Sequence, residues 1–497
     1  MQTKFSQLKN TLAELTHLSS ATALLHWDME THMPREGAAV RGKTISLLSA
    51  LVHERFTSPE FETLVTELNE ARLAGVLDDE TACVVREIWR DFSREKKLPK
   101  EFVEELSQTT SDAHHIWADA KKKSDFSLFS PVLEKIISLK RKQADYYGYV
   151  RSPYDALLDG FEQDTTLQDI DPLFEDLKKF LVPLIKNIGS AGAQPKEDLF
   201  YGDFDISKQQ TLCRDVLKLI DFSFEKGRLD EAAHPFTQGF HPSDVRITTR
   251  YDQHNVFYSL LSTIHEAGHA FYDMGLSDEH FGTPLAESLS LGIHESQSRL
   301  WENHIGRGRS FWIYMYPRLQ TVFPKPFGDI SFDDFNIHLN RVTPSLIRTE
   351  SDEVTYNLHI IIRLEIEREI IEGALDVENI PEVWNQKVKQ YFGIDVFDDA
   401  HGCLQDVHWS GGMFGYFPTY TLGNLYAAQL YAAASRDILN LEEEISRGSF
   451  GHLREWLRTR IHVHGRRYAQ DALIQNATGE KLNAQHFVDY ISKKYSK

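Results

Sequence analysis

Cysteine is scarce in this chain. Three occur in 497 residues, Cys83, Cys213 and Cys403, with no CxxC pair. An odd, scattered set excludes a disulfide framework and a thiolate zinc site. Cys403 reads as a small buried hydrophobe before it reads as a reactive thiol. Long apolar runs are also absent. None approaches the roughly 18 residues of a membrane span, so no transmembrane helix is expected. The N-terminal stretch is an amphipathic helical pattern broken by Glu14 and His17, not a secretory h-region. Positive charge is in deficit: 54 basic against 74 acidic residues leaves −20. That excludes nucleic-acid binding, which needs a basic footprint, and docking on an anionic membrane. These absences together lead us to expect a cytoplasmic protein. Strand signals are few, and no internal repeat or low-complexity tract occurs.

What is present is a chain able to bury a large core, with 41% hydrophobic and 26% charged residues. Its length allows about three domains of roughly 150 residues, or one large enzyme fold. Helical periodicity predicts helices over 1–25, 61–91, 101–145, 166–188, 207–222, 354–373 and 425–446. Segment 354–373 carries Glu365, Glu367, Arg368 and Glu369 and predicts a helix with one wet face. A loop is expected at 189–203, where Gly and Pro punctuate the chain. The best strand is 244–251, where Val245, Ile247 and Thr249 alternate with polar residues. It is expected to be an edge strand, able to accept a substrate backbone. The fold class is therefore mainly α with a small β element.

Histidine is clustered. Eight of 22 fall between His234 and His304, where an even spread would put about three. Within that stretch His265-Glu266-Ala267-Gly268-His269 is an HExxH pattern. Four residues apart on a helix, both imidazoles project from one face and can share one zinc ion. Glu266 stands beside them as a general base for water. Catalytic zinc usually takes three protein ligands, so one more is needed. Tyr272 and Gly275 occupy the places where the extended HExxHxxGxxH pattern requires Gly and His. Asp273, His280, Glu287, His294 and Glu295 remain as sources. Asp273 suits an orienting role on the same helix. Glu287 and Glu295 both lie where a following helix, predicted over 285–306, could fold back, and Glu295 is preferred. His462 with His464, and His114 with His115, read as exposed pairs and not as metal clips.

HEAGH at 265–269 followed by His294-Glu295-Ser296-Gln297 resembles the M32 family of metallocarboxypeptidases, the carboxypeptidase Taq group. Further motifs match in order. They are His234-Pro235-Phe236, Asp244 to Thr248 as DxRxT, Ile347 to Asp352 as IRxxAD with Ser351 for Ala, and Gly402 to Trp409 as GxxQDxHW. Stretches 24–42 and 154–162 also look familial, so the resemblance spans the chain. It implies one peptidase domain over 1–497, with an N-terminal helical lobe of roughly 1–200 and a catalytic lobe of roughly 201–497. It implies a two-lobed helical body around a deep groove, with a small sheet beside the active-site helix. It implies zinc on His265, His269 and Glu295, with cobalt able to substitute, and a homodimer. The implied reaction is release of C-terminal residues from peptides, with broad preference and proline disfavoured.

Such an enzyme must hold a free carboxylate, which arginine does best. Arg348 leads because its motif is peculiar to this resemblance. Arg246 and Arg250 are alternatives, and Arg246 could instead brace Asp244. His408 could donate to the oxyanion or the carboxylate, or serve as a structural partner of Asp406. Tyr420 is a second oxyanion donor, in competition with Tyr416 and Tyr426, and His234 joins the substrate-binding set. Two rival readings are an endo-acting zinc oligopeptidase and a non-enzymatic metal-binding scaffold.

Overall fold

The structure is a computed structural model that describes residues 1–190, 200 and 202–495. Most of the loop expected at 189–203 lies outside the described residues. Among them the chain forms 21 α-helices and one three-stranded sheet, as the mainly α reading expects. Three periodic stretches each split in two, the 425–446 one into Pro418–Asp437 and Leu441–Ser446, parted at left-handed Asn440. The 61–91 run becomes Pro59–Leu73 and Asp79–Lys96, parted where Gly75 adopts a left-handed φ of 68°. The 101–145 run becomes Lys100–Lys123 and Ser130–Tyr147, parted at left-handed Ser124. Periodicity persists across such breaks because both halves face one core.

The helix Tyr356–Glu372 departs further from expectation. It has no wet face over its first three turns: every residue from Tyr356 to Glu367 is buried. Its charges are matched inside the protein. Arg363 donates to Asp406 at 2.7 Å. Glu365 accepts from Lys178 and Lys387 at 2.8 and 2.9 Å. Glu367 accepts from Tyr154, Trp409 and the Gly415 amide. Buried charge is tolerated when it is paired, as for Arg363 and Glu365, whereas Glu367 meets only neutral donors and burial pushes its carboxyl up to about 7.

The sheet comprises β1 (Gly227–Glu231), β2 (Thr237–His241) and β3 (Asp244–Thr249), in the order β1-β3-β2. β1 runs parallel to β3 and β2 antiparallel. β3 is therefore central, not the expected edge. Its buried Val245 and Ile247 earn the strongest strand signal because both its sides are paired. The edge is β2, which reads weakly because it carries Gly239 and a bulge between Gly239 and His241. A Cβ at Gly239 would stand 2.6 Å from a carboxylate oxygen of Asp273. The missing side chain thus lets β2 press against the helix Val256–Gly275.

The main core runs from Ala113 to Ile491. A second core joins Leu8 and Leu12 to the helices Pro59–Leu73 and Asp79–Lys96, with Leu285 inserted from the catalytic region. Beside it Arg466 pairs with Glu87, Asp91 and Glu287. No helix among the described residues is long and apolar enough to cross a membrane.

His304 sits between the rings of Tyr431 and Tyr490, with centroids at 4.8 and 4.1 Å. Burial pulls its pKa down to about 3. The folded state therefore binds fewer protons than the unfolded chain below pH 6.5, and stability from this residue is lost as pH falls through that window. His304→Phe removes the term. Its stability relative to wild type should rise by about 1.4 kcal/mol between pH 7.5 and pH 5.5, measured by urea unfolding.

Candidate metal centre and substrate anchor

The helix Val256–Gly275 begins at Asn255, whose side chain accepts from the Phe257 and Tyr258 amides. Its apolar back, including Leu260, Ile264 and Phe271, is buried in the core. His265 and His269 leave the opposite face, with ring centroids 5.0 Å apart. A second helix, Leu291–Arg299, is capped by the Ser290 hydroxyl and packs against the first through Gly268. A Cβ there would lie 2.6 Å from the Gln297 carbonyl oxygen and the Ser298 Cα. The predicted 285–306 helix is thus shorter at its start, and its end continues as the π-helical turn Leu300–Gly306.

This packing brings Glu295 to the two histidines. Its Oε2 lies 3.7 Å from His265 Nε2 and 3.3 Å from His269 Nε2. The three donor atoms fall within 4.8 Å of one another. Two imidazoles and one carboxylate form a divalent-metal donor set with room for a further ligand. The surroundings fit that reading. His265 Nδ1 stands 2.9 Å from Glu302 Oε2, which turns Nε2 toward Glu295, as outer carboxylates do for metal-bound imidazoles. Arg299 donates to Glu295 Oε1 at 2.6 Å and Ser298 Oγ to Oε2 at 2.8 Å. Burial alone would raise the Glu295 pKa, but Arg299 and the imidazoles hold it well below the carboxylate range. Burial pulls His269 down to about 4. It acts the same way on His265, but Glu295 and Glu302 outweigh it and lift that group to about 8. Glu302→Gln should weaken metal binding about 10- to 100-fold, read by chelator competition.

Glu266 is buried, and burial pushes its carboxyl above the ordinary range. Thr237 Oγ1, from the edge strand β2, donates to Oε2 at 2.7 Å.

A cationic cluster adjoins the trio. Arg348 is buried and donates to Asp406 Oδ1 through Nε at 3.0 Å and Nη2 at 2.8 Å, and to the Tyr356 hydroxyl at 2.9 Å. Arg363 pairs with Oδ2 of the same aspartate at 2.5 Å. Two guanidiniums against one carboxylate leave one positive charge unneutralised. Tyr356 connects the two groups, since Arg299 lies 4.3 Å from its ring centroid. His408 Nε2 and the Tyr420 hydroxyl are 3.2 Å apart, and the Arg348 guanidinium lies 5.0 Å from the Tyr420 ring. Burial lowers His408 to about 4, so the imidazole is neutral near pH 7. Its Nδ1 is 3.9 Å from Asp406. Tyr420 lies on the helix Pro418–Asp437, where a Cβ at Gly423 would stand 2.5 Å from Glu295 Cγ. That close approach sets the tyrosine helix against the Glu295 helix.

The other expected residues are placed as follows. Arg246 grips Asp244 at 2.9 and 3.0 Å and lies 4.5 Å from the Trp27 ring. Arg250 is exposed over Tyr258. His234 is exposed on the β1–β2 connection, and no described hydrogen bond ties it to the cluster. Glu287 is held by Arg466, away from the histidines. His294 stacks on His269 and bonds Asp273 at 3.0 Å, and His280 faces Glu80 at 3.7 Å. Tyr416 meets His408 at a tilt and Tyr420 edge-on, each with ring centroids 5.3 Å apart, whereas Tyr426 accepts from Gln470 elsewhere. His462 is buried, not exposed, and pairs with Gln297 at 2.8 Å. Cys403 is buried and free. Thr237, Arg299, Glu302 and Tyr356 escaped the sequence reading. Arg299 and Glu302 had a local signal, four and seven residues after Glu295 on the same predicted helix.

The family described as Carboxypeptidase Taq (M32) metallopeptidase matches residues 7–495. Carboxypeptidase 1 of Bacillus subtilis (strain 168) is 42% identical over 485 residues, covering 98% of this chain and 96% of that protein. Thermostable carboxypeptidase 1 of Thermus thermophilus is 39% identical, covering 97% and 96%. The solved structure of Pyrococcus furiosus carboxypeptidase superposes with a TM-score of 0.96 at 39% identity, covering 99% of each chain.

Proposed function

The chain belongs to the carboxypeptidase Taq (M32) family and is a metallocarboxypeptidase, and on that premise we propose that it is a zinc enzyme releasing C-terminal residues from peptides. Preference for the released residue is broad, with proline disfavoured. The observation that carries this reading is the surplus positive charge on Arg348 and Arg363, joined through Tyr356 to the Glu295 trio. A centre cleaving within a chain needs no fixed cation there. An exopeptidase needs one to hold the terminal carboxylate.

His265, His269 and Glu295 would hold the zinc, which when bound supplies a Lewis acid and an acidified water. Cobalt suits the same ligands. Thr237 occupies Glu266 Oε2 and leaves Oε1 to take the proton of the attacking water. Glu266 then passes that proton to the leaving amine. Arg348 binds the terminal carboxylate, so only the last peptide bond reaches the centre. His408 and Tyr420 donate to the oxyanion or to the carboxylate. Arg246, committed to Asp244, shapes the sheet beside them, and His234 borders the peptide path. The family resemblance supports one peptidase domain over 1–497, acting as a homodimer, and the scarce cysteines suit a cytoplasmic location.

The test is metal analysis together with hydrolysis of an N-blocked dipeptide and its C-terminal amide. One zinc per chain and cleavage of the free acid alone are expected. Chelation should abolish activity, and zinc or cobalt should restore it. Equal cleavage of the amide would favour the endo-acting reading. Bound metal without cleavage of either would favour the scaffold.

A further inference from the structure

Behind the helix Val256–Gly275 lies a cavity of about 260 Å³. Phe271, Met274 and Gly275 line it, three residues at i, i+3 and i+4, on the face opposite His265 and His269. It is therefore separate from the metal centre. Its floor rests on Phe271, Trp301 and Leu457, which are buried, and the half-buried Met274 presents an adaptable thioether to it. Its rim is charged, and the rim's two arginines differ. Arg458 is neutralised by a two-point pair with Glu455 at 2.7 and 2.8 Å. Arg454 is half-buried and lies 4.2 Å from the Phe271 ring centroid. Its hydrogen bond goes to the backbone carbonyl of Asp221, not to a carboxylate. Among the described residues no carboxylate stands within 4.0 Å of it, and the Asp221 carboxylate, also on the lining, acts on it from farther away. A half-desolvated guanidinium facing a cavity retains donors in a fixed fork, which suits a carboxylate.

We propose that this cavity is a second binding site, for a small molecule bearing one carboxylate on an apolar body about the size of a single ring. The volume lies near the lower end of small-ligand pockets, at roughly 300 Å³, and so admits one compact molecule. Arg454 takes the carboxylate, and Met274, the half-buried apolar side chain of the lining, covers the ring. The occupant would touch the reverse side of the His265 helix and the π-helical turn that follows the Glu295 helix. Phe271 is two residues from His269, and Trp301 adjoins Glu302. His462, on the cavity wall, bonds Gln297. The site stands on its own geometry and does not depend on the peptidase reading.

The probe is 3-phenylpropionate, titrated calorimetrically into the full-length, zinc-loaded protein. Arg348→Ala supplies the background, because the substrate anchor also accepts a carboxylate. In that background one equivalent should bind. Adding Gly451→Phe should weaken it by about tenfold or more. Gly451 lines the cavity, and a Cβ there meets nothing within 4 Å, so the new ring enters open space and the fold is kept. Adding Arg454→Gln should weaken binding similarly, with an unchanged circular-dichroism spectrum. No binding in the Arg348→Ala background would overturn the site, as would binding that neither added substitution weakens. A crystal structure of the wild-type protein with the same compound gives the second readout. Density against Arg454 supports the site, and an empty cavity overturns it.

Discussion

Glu266→Gln should keep one metal per chain and lose nearly all peptide hydrolysis. Glutamine has the same shape. Its amide oxygen can accept the Thr237 hydroxyl that now binds Glu266 Oε2 at 2.7 Å. His265, His269 and Glu295 are untouched, and their supports, Glu302, Arg299 and Ser298, are retained. What disappears is the ability to take a proton. Positioned general bases contribute roughly 10²- to 10⁴-fold, and kcat should fall by that amount. Burial raises the Glu266 pKa, which strengthens it as a base for a water proton. Metal content by atomic absorption and turnover of an N-blocked dipeptide together decide the matter. A variant within tenfold of wild-type turnover would remove Glu266 from the role of base.

Arg348→Ala carries the second large effect, and its signature is selectivity. The cluster holds two guanidiniums and one carboxylate, so Arg348 supplies the charge that Asp406 cannot cancel. Without it Arg363 and Asp406 become a neutral pair, and the substrate carboxylate has no counter-charge. Losing one partner of a buried charge pair costs about 2–5 kcal/mol. By that measure kcat/KM for free-acid peptides should fall roughly 30- to 5,000-fold. Residual cleavage of C-terminally amidated peptide should not change. Arg348→Lys should recover only part of the loss, since an ammonium cannot span a carboxylate with two parallel bonds. Because Asp406 keeps Arg363 at 2.5 Å, the fold should survive, and a melting curve checks it. An equal loss on free-acid and amidated substrates would reassign Arg348 to structure.

The HExxH helix and β3 were legible because their signals are local. A spacing of four on a 3.6-residue helix puts His265 and His269 on one face whatever the rest of the chain does. Alternation along 244–249 marks a strand in the same way. The charge deficit needed no structure at all. The family motifs extended the reading to Glu295 and Arg348 without their geometry.

Other features depended on contacts distant in sequence. The choice between Glu287 and Glu295 turns on Gly268, which lets the helix Leu291–Arg299 press close, and on Arg466, which draws Glu287 elsewhere. The apparent wet face of Tyr356–Glu372 was decided by Lys178, Lys387 and Asp406, partners found only after folding. Whether β3 was edge or centre depended on β1 and β2, whose own signals are weak. The sequence by itself determined which side chains each helix and strand presents together, because backbone periodicity is intrinsic to the chain. The tertiary structure alone decided which of those faces meet, because that depends on close packing and charge pairing between segments far apart in sequence.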